Sequence, residues 1–325
     1  GGFGWADAGI IVPYNLYMMY GDVSVIAENW DAMCLYMDEY LANQPYGGNN
    51  TFSDHLCYET QTATTQNMLS LSFHCWDALL MVQMANAMGN TEAAAKYQAV
   101  FEEHKAQYQN EFVNEDGTLV ADTQSTSLYA LYVGLLPNEE SVNKVADMLI
   151  ANIQRSGNKL QTGFLGTAIL LPTLTKIGRT DVAYTLLLQR GDPSWLYSVD
   201  QGATTFWERW NTYTVASGFG SAGMNSFNHY AYGAVIGWIY NQAAGIGYDA
   251  ANPGFKHIVL APNPDPLVKT IEATYDSAFG PIVSNMRYEG TSWIYDAKIP
   301  ANTTATIHVP VEKIDSLTVN GKSPA

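Results

Sequence analysis

Positive charge is what this chain has least of. Its 325 residues carry 15 Lys and Arg against 31 Asp and Glu, a formal net charge of −16. No basic cluster occurs, which speaks against nucleic acid and against anionic membrane surfaces as partners. Cysteine is nearly as scarce. Cys34, Cys57 and Cys75 are an odd number, and their spacings of 23 and 18 match no zinc or redox motif. They read as small buried hydrophobes, with one disulfide left open and no compartment assigned. No run of 18 apolar residues is present, so no membrane-spanning helix is expected. Neither is there a secretory leader pattern, and Gly1-Gly2-Phe3-Gly4-Trp5 lacks an initiator Met, as expected of a segment cut from a longer protein. His74, Cys75 and Asp77 do not converge on one helix face, and nothing calls for a metal or an organic cofactor.

What is abundant is apolar and aromatic. Hydrophobic residues make up 47% of the chain, enough for a sizeable core and against disorder. Rings are 12%, including 8 Trp and 21 Tyr. Rings with polar tips suit a neutral, polar ligand such as a carbohydrate, and also suit a helical core.

From Ala8 to about Ala250 the apolar spacing is helical. Ile10, Ile11, Tyr14 and Tyr17 open a first helix, with Pro13 expected in its first turn, where a missing N–H costs little. Further helices are expected over 25–41, 64–88, 91–112, 124–133, 138–153, 166–177, 180–190 and 227–242, about nine in all. An apolar helix alternates with an amphipathic one, without intervening strands. Such pairing builds a helical toroid, with inner helices buried and outer ones half exposed. Nine is fewer than the twelve of a closed (α/α)6 barrel, so an incomplete barrel over residues 1–252 is predicted. After Pro253-Gly254 the pattern changes to short β-prone runs, among them Val268–Tyr275, Ile282–Tyr288, Trp293–Ile299 and Thr304–Val309. Residues 253–325 are therefore expected to form a small antiparallel β-sandwich domain.

The chemistry concentrates in Gly202-Ala203-Thr204-Thr205-Phe206-Trp207-Glu208-Arg209-Trp210, with Asn228-His229-Tyr230 following. Indole faces are platforms for the C–H face of a pyranose, and a carboxylate between them can activate water at an anomeric carbon. The plain alternative is a structural ion pair such as Glu208–Arg209, with the indoles filling a core.

These residues resemble a known family. Gly4-Trp5-Ala6-Asp7-Ala8-Gly9 and Tyr20-Gly21-Asp22 look like the middle of the catalytic domain of bacterial α-L-rhamnosidases, glycoside hydrolase family 78. Thr162-Gly163-Phe164-Leu165-Gly166-Thr167, Pro193-Ser194-Trp195, the 202–210 stretch, Phe227-Asn228-His229-Tyr230 and Pro253-Gly254-Phe255 follow in that family's order. The resemblance implies an (α/α)6 barrel followed by a β domain, and inverting hydrolysis of terminal α-L-rhamnosides. Inversion uses two carboxyl groups roughly 6.5–9.5 Å apart, one protonating the leaving oxygen and one activating water. By resemblance Glu208 is the general base. Trp5, Asp7, Trp207, Asn228 and His229 are expected to line the sugar site, and Trp195 to anchor a loop.

Two departures stand out. The family's general acid lies in a segment upstream of the Trp-x-Asp motif with which this chain opens, so the acid is expected outside it. Where the family often has Gly-Asp-Trp-Leu, this chain has Ser53-Asp54-His55-Leu56, with His55 in place of an indole. Alternative functions are a non-catalytic carbohydrate-binding module, another (α/α)6 exo-glycosidase, or a polysaccharide lyase, the last disfavoured by the acidic balance. The expected partner is a rhamnose-containing glycan or glycoside. Location is undecided, with the periplasm or exterior favoured for the full-length protein.

Overall fold

The computed structural model describes residues 2–43, 52–290, 292–311 and 316–322. By internal contacts the chain divides into two compact units, one of residues up to Tyr17 with Asp22–Val235, the other of Met18–Gly21 with Ile236 onward.

The first unit is helical. Helix α1 spans Ala8–Tyr20, and α2 (Ser24–Leu35) runs on into a π turn at Tyr36–Leu41. Then come α3 (Ala63–Ala87), α4 (Thr91–Phe112), α5 (Gln124–Val133), α6 (Glu139–Arg155), α7 (Phe164–Lys176) and α8 (Thr180–Leu187). Their starts are written in short polar side chains. Thr62 and Thr123 form capping boxes with Thr65 and Thr126, while Asn90 and Asn138 accept from the backbone N–H groups of Ala93 and Ser141. Gly134 ends α5 in the left-handed conformation that costs glycine least. Helix α6 carries Glu139 and Glu140 in its first turn and Arg155 in its last, each at the end where it opposes the helix dipole.

Burial sorts these helices into two layers. Helices α3, α5 and α7 are buried nearly all round, from Leu69, Phe73 and Met81 to Leu128, Tyr129 and Leu170. Helices α4 and α6 bury one stripe each, Tyr97, Phe101 and Tyr108 in one, Val145, Leu149 and Ile153 in the other. The packing is inner to inner between α3 and α5 and between α5 and α7, and inner to outer in the pairs α3–α4, α5–α6 and α7–α8. Three inner–outer hairpins in sequence are the repeat of an (α/α)6 toroid.

Three local expectations are revised. Pro13 stands inside α1, well past its first turn, so its ring removes one backbone bond from the helix interior. Trp195–Asp200 forms a short helix, α9, capped by Ser194 Oγ. Residues 227–230 are not helical. The helical run there starts only at Ala231, as a 3₁₀ turn (Ala231–Ala234), a short α10 (Val235–Trp238) and a π turn (Ile239–Ala243). The cysteines are all free, and only Cys75 is fully buried.

The first unit also holds a two-stranded hairpin, β1 (Tyr213–Thr214) with β2 (Gly218–Phe219). Among its described residues the second unit has six strands, β3 (Ile246–Tyr248), β4 (His257–Leu260), β5 (Thr270–Ser277), β6 (Gly280–Glu289), β7 (Ser292–Lys298) and β8 (Thr304–Ile307). Strands β5, β6 and β7 form an antiparallel meander, with Ile271 opposite Met286 and Met286 opposite Tyr295. In the other sheet β3–β4 is antiparallel but β4–β8 is parallel, with Ile258 opposite Ala305. The excursion through β5–β7 returns the chain to the edge of β4 in the same direction, so an all-antiparallel domain is not what forms. His257 ties the parallel pair, its ring nitrogens lying 2.7 and 3.0 Å from the Thr304 and Thr306 hydroxyls. The two sheets share one core of Ala244, Ile246, Phe255, Ile258, Leu260, Ala273 and Ile282. Gly21 and Gly254 let two backbones meet in this unit. Both have positive φ, and a Cβ on either would lie 2.7 Å from the other strand's carbonyl oxygen.

Candidate active site

The chain at 205–208 lies against 226–229. The Glu208 N–H donates to the Ser226 carbonyl at 2.9 Å, the His229 N–H to the Phe206 carbonyl at 2.9 Å, and the Thr205 hydroxyl to the Phe227 carbonyl. This pairing ties 226–229 to 205–208 and closes the 21-residue interval between Glu208 and His229 into an excursion carrying β1 and β2.

Glu208 is nearly buried, at 9% exposure. Its Oε2 accepts the Ser226 backbone N–H at 2.7 Å. Among the described residues no ion pair includes Glu208, and none forms with Arg209. A carboxylate aimed by a backbone donor and left without a cation keeps one oxygen for other work.

His229 is fixed from two sides. Its Nδ1 accepts the Ala231 N–H at 3.3 Å, which in the neutral ring leaves the proton on Nε2. Its ring lies on Phe164, centroids 4.8 Å apart and 30° from parallel. Phe164, the first residue of α7, also meets Trp5 edge-on at 6.2 Å and His55 at 5.5 Å. His55 meets Trp5 at 6.4 Å and Phe52 at 5.2 Å. Burial first, and then the Arg209 charge, lower the His55 imidazole below its ordinary value, while Glu208 pulls the other way. His55 is therefore neutral near pH 7 and sits within the electrostatic reach of Glu208, Arg209 and His229. Five parts of the chain thus converge on Trp5, His55, Phe164, Glu208 and His229.

Asp54 explains how His55 gets there. It is wholly buried, and it accepts the backbone N–H groups of Gly163 (2.9 Å), Leu165 (2.8 Å) and Gly166 (3.0 Å) together with the Ser125 hydroxyl. Three of these donors are the free N–H groups at the start of α7, where a carboxylate also meets the positive end of the helix dipole. Gly163 permits the approach, since a Cβ there would lie 2.0 Å from the His55 carbonyl oxygen. Asp54 bridges 109 residues to Gly163 and places His55 beside Phe164.

The other sequence-predicted residues separate. Trp5 is 36% exposed and presents its indole at the edge of the cluster. Asp7 has no exposure at all. Its Oδ1 accepts the Tyr36 hydroxyl at 2.9 Å and its Oδ2 the Gly4 N–H, so it closes the turn that carries Trp5. Trp207 is 7% exposed and packs edge-on against Phe227 at 5.4 Å. Trp210 is a packing pillar. It stacks on Tyr232 at 3.8 Å, meets Trp195 at 5.5 Å and donates to the Thr162 carbonyl at 2.9 Å. Trp195 donates to the Tyr232 carbonyl at 2.9 Å. Asn228 is exposed, its backbone N–H bonded to Ser226 Oγ at 3.1 Å. A cavity lined by Trp195, Trp207, Arg209, Trp210 and Tyr232 has about 10 Å³ of space. That is far below the roughly 300 Å³ of a small-molecule site, so it is a packing gap and not the ligand pocket. Among the described residues no group of three or more His, Cys, Asp or Glu could hold a metal ion, and no helix is long and apolar enough to cross a membrane.

Sequence reasoning did not single out Phe164, Asp54 or Tyr36 as site residues. Phe164 lay in a recognised motif, next to the glycine that gives the α7 start its close contact. Asp54 had only its neighbour His55 as a signal, because its partners are more than seventy residues away.

Paired inner and outer helices, a nearly buried carboxylate in a tryptophan-rich segment and a β-sheet unit are the parts of a six-hairpin glycosidase. The family model of the bacterial alpha-L-rhamnosidase 6 hairpin glycosidase domain matches residues 1–243, and that of the bacterial alpha-L-rhamnosidase C-terminal domain matches residues 245–323. The chain belongs to the bacterial α-L-rhamnosidase family. It is 34% identical to an α-L-rhamnosidase of Formosa agariphila, over 98% of this chain and 35% of that one. It is 37% identical to an α-L-rhamnosidase of Streptomyces avermitilis, over 96% of this chain and 30% of that one. The crystal structure of the Streptomyces avermitilis α-L-rhamnosidase complexed with L-rhamnose is similar with a TM-score of 0.90 and 36% identity, covering 96% of this chain and 30% of that one. The chain thus spans about a third of the length of these relatives.

Proposed function

We propose that the full-length protein hydrolyses terminal α-L-rhamnosides with inversion at the anomeric carbon, and that Glu208 is the general base. The observation that carries this reading is the Glu208 carboxylate. One oxygen is aimed by the Ser226 N–H, among the described residues no ion pair includes it, and the neutral His55 imidazole, His229 and an exposed indole are gathered nearby. Glu208 takes a proton from a water that attacks the anomeric carbon, and the C–O bond to the leaving group breaks as its oxygen is protonated. The acid that supplies this proton is assigned to a segment preceding residue 1.

His229 offers Nε2–H to a sugar hydroxyl, and Trp5 offers an apolar face to the pyranose ring. Trp207 and Asn228 are assigned to the walls of the site. Asp7 serves it by fixing the Trp5 turn. A neutral, polyhydroxylated sugar suits a site whose recognition is aromatic rings and neutral hydrogen-bonding groups. Water is the only cosubstrate this chemistry needs.

The test is release of nitrophenol from nitrophenyl α-L-rhamnoside by the full-length protein, with the anomer of the released rhamnose followed by NMR. Release of the inverted anomer that depends on Glu208 is expected. Retention of configuration, or full activity of Glu208→Gln, would overturn the assignment. Tight binding of rhamnosides without turnover would point to a carbohydrate-binding protein instead.

A further inference from the structure

Beneath the Trp5 turn lies a second carboxyl group that the chemistry above does not use. Asp77 sits in the middle of α3 with no exposure, and no donor reaches either of its oxygens, its one side-chain hydrogen-bonding neighbour being the carboxyl of Asp7. The charged group it faces is Asp7, also wholly buried. Among the described residues, the elements packed around the pair bring no cation to it. Tyr36 comes from the π turn and bonds Asp7, Tyr129 on α5 lies within reach of the Asp7 charge, and His104 on α4 meets His74 on α3 at 5.6 Å. Burial, and then the neighbouring His104, hold the His74 imidazole down at about 4, so His74 is neutral at pH 7 as well.

Two carboxylates facing each other in a buried, cation-free site cannot both ionise. The hydrogen bonds say which one keeps the proton. Asp7 accepts from Tyr36 and from Gly4, donors that favour a carboxylate. Asp77 has no donor to stabilise a charge and no acceptor other than Asp7 for a proton. Burial and the Asp7 charge accordingly push its carboxyl well above the usual carboxylate range.

We propose that Asp77 is a positioning residue that stands as a neutral carboxylic acid and donates its proton to Asp7, locking the turn that holds Trp5. It touches no substrate. It acts through Asp7 as a third donor, after Tyr36 and Gly4, and so sets where the indole stands against His55 and Phe164. The proton location is independent of the activity proposed above, whereas its catalytic consequence rests on that reading.

The test uses the full-length protein. The infrared spectrum at neutral pH is expected to show the C=O stretch of a protonated carboxylic acid that disappears in Asp77→Asn. Asp77→Asn keeps a donor for Asp7 and should hold kcat/KM for an aryl rhamnoside within about threefold of wild type. Asp77→Val removes the donor and should lower it roughly tenfold or more, the expected size for one hydrogen bond to a buried charge. Absence of the band, or its persistence in Asp77→Asn, would overturn the proposal even if Asp77→Val fails to fold. Equal loss in Asp77→Asn and Asp77→Val would overturn the positioning role. A wild-type protein that shows the band but hydrolyses no rhamnoside would refute the hydrolase reading and uphold the shared proton.

Discussion

Glu208 and Ser226 are bonded to each other twice: the Glu208 N–H donates to the Ser226 carbonyl at 2.9 Å, and the Ser226 N–H donates to Glu208 Oε2 at 2.7 Å. One bond sets where the backbone runs and the other sets where the carboxylate points. The side chain is therefore aimed by backbone that does not depend on its charge, so a neutral isostere keeps the geometry and loses only the base.

Glu208→Gln should fold normally and turn over aryl rhamnosides about 10²–10⁴-fold more slowly in the full-length protein, the usual contribution of a general base. Steady-state kinetics beside a thermal melt decides it. A variant within a few-fold of wild type would remove Glu208 from the role.

Asp54→Ala should be among the costliest substitutions in the chain. It strands three buried N–H groups at the start of α7 and the Ser125 hydroxyl, and it opens a gap. A loss of about 3 kcal/mol or more is expected by urea unfolding. Gly163→Ala should fail for a related reason, because its Cβ meets backbone and not a side chain that could move.

Asp77 gives stability a dependence on pH. Its carboxyl is raised in the folded protein, so above the ordinary aspartate range the unfolded chain ionises it while the fold does not. Its contribution is complete at low pH and is lost as pH rises toward the folded value. Asp77→Asn should therefore gain stability relative to wild type as pH rises above the ordinary aspartate range, by up to about 1.4 kcal/mol per pH unit until the folded carboxyl itself titrates. Unfolding of both proteins at several pH values measures the slope. Parallel curves would show that Asp77 is ionised in the fold.

His74 acts at the opposite end. Its imidazole lies at about 4 in the fold and at the ordinary 6.5 when unfolded. The unfolded chain binds a proton below 6.5 that the fold refuses, so stability falls as pH drops from 6.5 toward 4, by roughly 3 kcal/mol in all. His74→Gln should lose this acid sensitivity relative to wild type in urea unfolding at pH 7 and pH 4.5.

Much of the helical unit was legible because its signals are local. Thr62, Asn90, Thr123 and Asn138 stand one position before the helices they cap, and a 3.6-residue apolar period followed each of them. Where local preference met a distant partner, the reading slipped. The helical reading began at Phe227, but the His229 N–H is taken by the Phe206 carbonyl and the helical run starts only at Ala231. Strand β8 has β-prone residues that say nothing of direction, and its parallel course comes from the connection before it. Of the candidate site, Glu208 and His229 were marked by their motifs. His55 was noticed as a departure, while Phe164 became visible only by its contacts.

By itself the sequence determined the alternation of buried and half-exposed helices, the change to β structure in the C-terminal part of the chain and the tryptophan-rich segment that carries Glu208. Each is a statement about neighbours in the chain, where a period of 3.6 or 2 and a cap residue act over a few positions. Only the tertiary structure decided that Asp54 crosses 109 residues to bind the start of α7, that Asp7 is buried against Tyr36 instead of lying open, and that Asp77 shares its site. Those outcomes depend on which buried groups meet far along the chain. The cost of an unpaired charge or donor in a dry interior settles them, and no periodic pattern records it.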